Sequence, residues 1–267
     1  MEKLILLGTG NAGVTECYNT CFAILSEDKY FLVDAGGGNG ILTQLKHAKI
    51  SLNALHHVFV SHSHTDHILG VIWVMRMIGA KMAEKNYCGN LNIYCHNDLV
   101  DKLISMAKFT LTNNITKLIG ERIIIHSLED GDSREILDYN VQFFDIHSKK
   151  LTQFGFSLFL KNGKRFTFIG DEPYNESEYQ YANQVDWLLH EAFCLYSERD
   201  IFSPYKKHHA TVKEACETAE KLNIKNLVLY HTEDKNILQR KELYTKEGTP
   251  FYSGSLFVPD DLEVIDL

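Results

Sequence analysis

The chain has 267 residues, of which 45% are hydrophobic, 23% charged and 11% aromatic. That composition and length suit one large α/β domain and exclude a disordered or fibrous protein. A net charge of −8 counts against a surface coated for duplex DNA, and the 13 histidines are about twice ordinary usage.

No apolar run is long enough to cross a bilayer. The most apolar stretch, Ile68 to Ala80, is short and is interrupted by Arg76. Met1-Glu2-Lys3 is followed by only four apolar residues, Leu4 to Leu7, which do not make a signal peptide. The expectation is therefore a cytoplasmic protein whose six cysteines (17, 21, 88, 95, 194 and 216) are reduced thiols, none of them in C-x-x-C spacing. Four prolines and no Pro/Gly/Ser-rich linker predict a single domain over residues 1–267.

Short apolar runs predict strands at Leu4–Leu7, Cys21–Leu25 and Tyr30–Val33. The third ends in Asp34-Ala35-Gly36-Gly37-Gly38, a tight backbone turn. Ile41, Leu42, Leu45 and Ala48 then take helical spacing. Val58–Val60 reads as a buried strand, Ile68 to Met82 as a helix, Leu91–Cys95 as a strand and Asp98–Lys108 as a helix. The second half predicts strands at Ile123–Ile125, Val141–Ile146, Phe154–Leu160, Phe166–Ile169, Val185–Leu189 and Leu227–Tyr230. Thr211–Leu222 is amphipathic, with Val212, Ala215, Ala219 and Leu222 on one face. Asn236–Tyr244 fits a helix and Leu262–Ile265 a last edge strand. Mixed strands and helices over this length mean a layered α/β architecture.

The segment Ser61-His62-Ser63-His64-Thr65-Asp66-His67 lies between a strand and a helix. His62 and His64 point the same way from extended backbone, because side chains alternate along it. Asp66 and His67 face differently and suit a second ion, and Asp66 also suits a helix start. One loop cannot close two metal sites. His147, Asp171 and His231 each follow a strand directly, where functional groups of α/β proteins collect. They are the further ligand candidates.

The ordered set Asp34, His62-x-His64-x-Asp66-His67, His147, Asp171 and His231 resembles the metallo-β-lactamase superfamily over nearly the whole chain. The resemblance implies an α/β layered fold, the αββα sandwich, and two divalent ions. His62, His64 and His147 would hold one ion, Asp66, His67 and His231 the other, with Asp171 bridging and Asp34 orienting a ligand. Zinc is the expected ion, although His and Asp donors also accept manganese or iron.

Within that superfamily the sequence resembles ribonuclease Z-like phosphodiesterases. Leu7-Gly8-Thr9-Gly10 is similar to their opening turn, His190-Glu191-Ala192-Phe193 to their His-Glu-Ala-Thr segment, and His209-Ala210-Thr211 to their His-Ser-Thr segment. This implies hydrolysis of a small phosphodiester or RNA by a metal-bridging hydroxide. Asp66 would orient the nucleophile, with Glu191 and His209 paired beside the leaving group. His208 competes with His209, but the spacing to Ala215 and His231 favours His209. The resemblance also allows a homodimer. Other readings of the same fold are a thioester or lactone hydrolase, or an authentic tRNA 3′-processing endoribonuclease without its usual arm. Ribonuclease Z enzymes that grip tRNA commonly carry a long arm between the third histidine and the bridging aspartate. Here His147 and Asp171 are 24 positions apart, filled by two predicted strands and a turn at Lys161–Lys164.

The implied ligands leave two divalent ions, two aspartates and a hydroxide at about +1, which favours an anionic substrate. Lys206 and Lys207 adjoin His209 and are candidates to attract phosphate. His190 reads as structural.

Overall fold

The apolar runs fold as strands in the computed structural model, which describes residues 2–267. In chain order the elements are β1 (Glu2–Gly8), β2 (Cys21–Ser26), β3 (Lys29–Val33), α1 (Gly40–His47), β4 (Leu55–Val60), α2 (Thr65–Ala83), β5 (Leu91–His96), α3 (Asn97–Thr110), the one-turn α4 (Asn113–Thr116) and β6 (Ile123–Leu128). There follow β7 (Ser133–Ile136), β8 (Tyr139–Asp145), β9 (Phe154–Phe159), β10 (Arg165–Phe168), α5 (Tyr179–Ala182), β11 (Trp187–Glu191), α6 (Arg199–Phe202), α7 (Val212–Lys221), β12 (Asn226–Tyr230), α8 (Arg240–Gly248), β13 (Ser255–Phe257) and β14 (Val264–Asp266). No helix among the described residues is long and apolar enough to cross a membrane.

The chain divides into two units. The first comprises Met1–Gly8, Tyr18–Glu129 and Leu262–Leu267; the second comprises Thr9–Cys17 and Asp130–Asp261. The first holds a seven-stranded sheet of order β14-β1-β2-β3-β4-β5-β6. Its β14, β1, β2 and β3 pair antiparallel, whereas β3 to β6 run parallel and are joined through helices. Parallel neighbours carry their C-terminal ends to one edge, so the residues after β3 and β4 meet there. The core is formed by Val58, Val60, Ile93 and Cys95 of the sheet with Ile68, Val71, Met75 and Ile78 of α2.

The second unit repeats that logic, with order β13-β12-β11-β10-β9-β8-β7. Here β10, β11, β12 and β13 are parallel, and β7 to β10 antiparallel. The C-terminal ends of β10, β11 and β12 therefore sit side by side, and β8 runs in the direction of β10. The amphipathic face of α7, Val212, Ala215, Cys216 and Ala219, packs with Leu188, Leu227 and Tyr244.

Several elements differ from the sequence expectation. β7 and β13 were not expected, and α8 begins at Arg240 rather than at residue 236. Asn236 is held in a turn, its amide donating to Glu198 and Glu233. The strand expected at Val185–Leu189 lies two residues later, as β11, because Asp186 turns to accept the Arg165 amide.

One glycine decides how α2 sits. A Cβ on Gly70 would fall 1.7 Å from the Ala35 carbonyl oxygen, and the Gly70 amide donates to the Gly36 carbonyl at 2.8 Å. Both obstacles are backbone, so neither rotates away. Gly70→Ala should cost about 1–3 kcal/mol, as overpacking does. Urea unfolding reads this, and an unchanged midpoint would show that the helix and the turn part freely.

Candidate active site

In the first unit a candidate cluster begins where β3 ends. Asp34 leaves the strand with a left-handed φ of +54°, a conformation rare outside glycine and often found at functional positions. It is 1% exposed. Its carboxylate accepts from the Ser61 amide at 2.8 Å, from the Ser61 hydroxyl at 2.6 Å and from His67 Nδ1 at 2.8 Å. The Ser61 hydroxyl, having spent its proton on Asp34, accepts from His62 Nδ1 at 2.9 Å. Both rings therefore carry their proton on Nδ1, so Nε2 is the lone-pair atom of each.

The rings of His62 and His67 lie tilted at 45° with centroids 4.1 Å apart, and His67 Nε2 lies 3.3 Å from Asp66 Oδ2. His62 Nε2 faces Nδ1 of the half-buried His64 at 2.9 Å. The donors of this loop thus converge, and the second residues that set their tautomers are in place. Such wiring suits a divalent metal held by nitrogen and oxygen. Tyr18 holds the turn beneath, its hydroxyl donating to Ala35 and Gly38 carbonyls at 2.9 and 3.0 Å.

In the second unit Asp171, Glu191 and His231 lie at or just beyond strand ends. Asp171 Oδ1 accepts from Gln153 at 2.6 Å, and its Oδ2 lies 3.5 Å from His231 Nε2. His231 has φ +58° and is 2% exposed. The His209 ring is 5.2 Å from that of His231 and stacks on Phe193 at 4.8 Å. Its Nδ1 faces Oε2 of the fully buried Glu191 at 3.6 Å, while the other Glu191 oxygen accepts the Ala210 amide. Burial pushes Glu191 well above the usual carboxylate range. Burial likewise holds His209 down to about 4, against the upward pull of Asp171.

His147 stands apart. It follows β8 with φ +53°, its side chain is 59% exposed, and its ring faces Asp145 at 3.6 Å rather than Asp171 or His231. His147 lines a cavity of about 390 Å³ together with Lys149, Glu172, Tyr174, Asn175 and His208. His208 is exposed, as are Lys206 and Lys207. Ser61, Gln153, Glu172, Lys150 and Gly70 escaped the sequence reading. Only Ser61 had a signal there, as the first residue of the histidine loop.

Besides His209, two histidines outside the ligand set carry a pH signature. Burial lowers His57 and His190 to about 4, with His56 and His126 adding to the effect at His57. The unfolded chain binds their protons near pH ~6.5, and the folded one only near 4. The unfolded state thus binds more protons in this window, and stability falls as pH drops from ~6.5 toward 4, by up to about 1.4 kcal/mol per pH unit per histidine. Urea midpoints of chelator-treated protein at pH 7.5 and pH 5 test this. His57→Asn should flatten the dependence, and equal midpoints in the parent would contradict it.

The chain is similar to known proteins along its length. It is 22% identical over 309 aligned positions to ribonuclease Z of Macrococcus caseolyticus, covering 99% of both chains. It superposes with a TM-score of 0.80 on the metallo-β-lactamase fold protein YhfI of Bacillus subtilis, at 18% identity over 99% of this chain and 98% of that one. For human tRNase Z, short form, the score is 0.76 at 20% identity, again over 99% and 98%. Fold and site together define the class, a hydrolase of the metallo-β-lactamase fold similar to ribonuclease Z. More particularly, residues 2–248 match the family described as anti-Pycsar protein Apyc1, and the chain belongs to that family.

Proposed function

We propose that the chain is a two-metal phosphodiesterase, a single hydrolase domain acting on small phosphodiesters. The carrying observation is the wiring of Asp34 to His67 and, through Ser61, to His62, which sets both rings to offer Nε2. The proposed ligands are His62, His64, Asp66, His67, His147, Asp171 and His231, with zinc the expected ion and manganese or iron its competitors. When bound, the ions supply Lewis acidity and make water acidic enough to deprotonate near neutral pH. Asp66 then takes or orients the nucleophile's proton. His209, backed by Glu191, faces the departing oxygen. The reading includes a cytoplasmic location and a homodimer.

Authentic tRNA 3′ processing is the second reading. What counts against it is the stretch between His147 and Asp171, occupied by the antiparallel pair β9 and β10 with a turn at residues 160–164 and no arm. The alignment with the Macrococcus caseolyticus enzyme runs to 309 positions, so that relative carries segments absent from this 267-residue chain. The family, moreover, is named for opposing Pycsar.

The test compares kcat/KM at fixed salt on bis(p-nitrophenyl) phosphate, a thioester panel and precursor tRNA. It is paired with metal analysis of protein purified without chelator. About two ions per chain and preference for the diester are expected. No tightly bound metal after reconstitution with zinc or manganese would sink the reading. Efficient cleavage after the tRNA discriminator base would establish the second, and thioester preference would move the chain to another reaction class.

A further inference from the structure

The loop after β8 is clasped by one carboxylate. Glu172, 7% exposed and next to Asp171, accepts from the Ser148 hydroxyl at 2.7 Å and from the Lys149 amide at 3.3 Å. The Lys150 and Leu151 amides in turn reach Ser148 Oγ at 3.2 and 3.5 Å. The backbone of Lys150 faces solvent, but its side chain folds inward and is only 22% exposed. Its ammonium lies 3.4 Å from His209 Nε2 and 3.8 Å from Glu172 Oε1.

These contacts, one long hydrogen bond and one ion pair, do not use all three donors of that ammonium. Lysine brings three donors and no acceptor, so His209 Nε2 must accept and the ring proton faces Glu191. The contact is long, and its acceptor is an uncharged imidazole. The Glu172 oxygen is beyond hydrogen-bond range and is already taken by Ser148. A mostly enclosed cation with unspent donors favours an anionic oxygen over a neutral nitrogen. The lysines singled out by sequence do otherwise: Lys206 is exposed, and Lys207 lies over the Phe193 ring at 4.7 Å.

We propose that Lys150 binds a non-bridging oxygen of the substrate phosphate, leaving His209 Nε2 to face the departing group. The proposal rests on the phosphodiesterase reading and extends it to a residue outside the metal ligands. Glu172 acts as the positioning residue that folds the loop and so delivers the ammonium.

The experiment uses metal-loaded protein, bis(p-nitrophenyl) phosphate as substrate and inorganic phosphate as probe. Lys150→Gln should lower kcat/KM by roughly 10- to 100-fold and weaken competitive inhibition by phosphate about tenfold, the range of one lost hydrogen bond to a charged group. Metal content and the unliganded Tm should stay as in the parent, Lys150→Arg should recover most of the loss, and the surface variant Lys3→Gln should behave as the parent. Lys150→Gln with parental kcat/KM and parental phosphate inhibition overturns the proposal. So does a lowered unliganded Tm with phosphate inhibition unchanged, which would mark a structural lysine. An inactive parent would sink the phosphodiesterase reading itself, and the rise of Tm with added phosphate would then decide alone: lost in Lys150→Gln it supports the proposal, retained it overturns it.

Discussion

Asp66→Ala should lose about 10³-fold or more in kcat on a chromogenic phosphodiester, with loss of bound metal. Asp66 is the second residue of α2 and is 5% exposed. His64 precedes the helix in extended backbone, with φ −64° and ψ 149°, so the helix starts there and its first turn favours a carboxylate. That local preference is worth only about 0.3–1 kcal/mol and does not account for burying a charge. Its Oδ2 is 3.3 Å from Nε2 of His67, a lone-pair atom because the other nitrogen is committed to Asp34, so two acceptors face each other as the donors to one cation would. On the proposed reading, removing the carboxylate takes away a metal donor and the group that orients the nucleophile together. Asp66→Asn keeps the shape and removes the charge, so it should fail nearly as badly. Activity within about tenfold of the parent, with metal retained, would remove Asp66 from the reaction.

Strands buried as continuous apolar runs were legible in sequence, and Val58–Val60 and Leu227–Tyr230 fall inside β4 and β12. β7 was not, because Ser133-Arg134-Glu135-Ile136 offers one apolar side chain and sits at a sheet edge, where pairing rather than composition makes the strand. The three-residue β13 is an edge for the same reason. That His147, Asp171 and His231 follow strands was legible. The wiring of the cluster was not. Asp34 reaches Ser61 across 27 positions only because β3 and β4 are parallel neighbours. Gly70 gains its meaning only from the Ala35 carbonyl pressed against it. Lys150 carries no signal in sequence, and only Glu172, which folds the loop back, gives it a place.

His209→Ala should keep the metal content and lose about 10²-fold in kcat, as expected for one proton-transferring group. The ring is 7% exposed, fixed by stacking on Phe193 with an interplanar angle of 8°, and backed by Glu191 at the end of β11. Burial disfavours the charged form of each partner, raising Glu191 and lowering His209, and the two are held face to face as one buried pair. A unit of this kind is lost when either member goes. Glu191→Gln should therefore also cost about 10²-fold, and the double variant no more than His209→Ala alone, since groups acting together are not additive. The measurement is kcat for all four proteins at one pH, with metal content alongside. A double variant down about 10⁴-fold would show two independent contributions and break the pairing. Full activity in His209→Ala would take that histidine out of the mechanism.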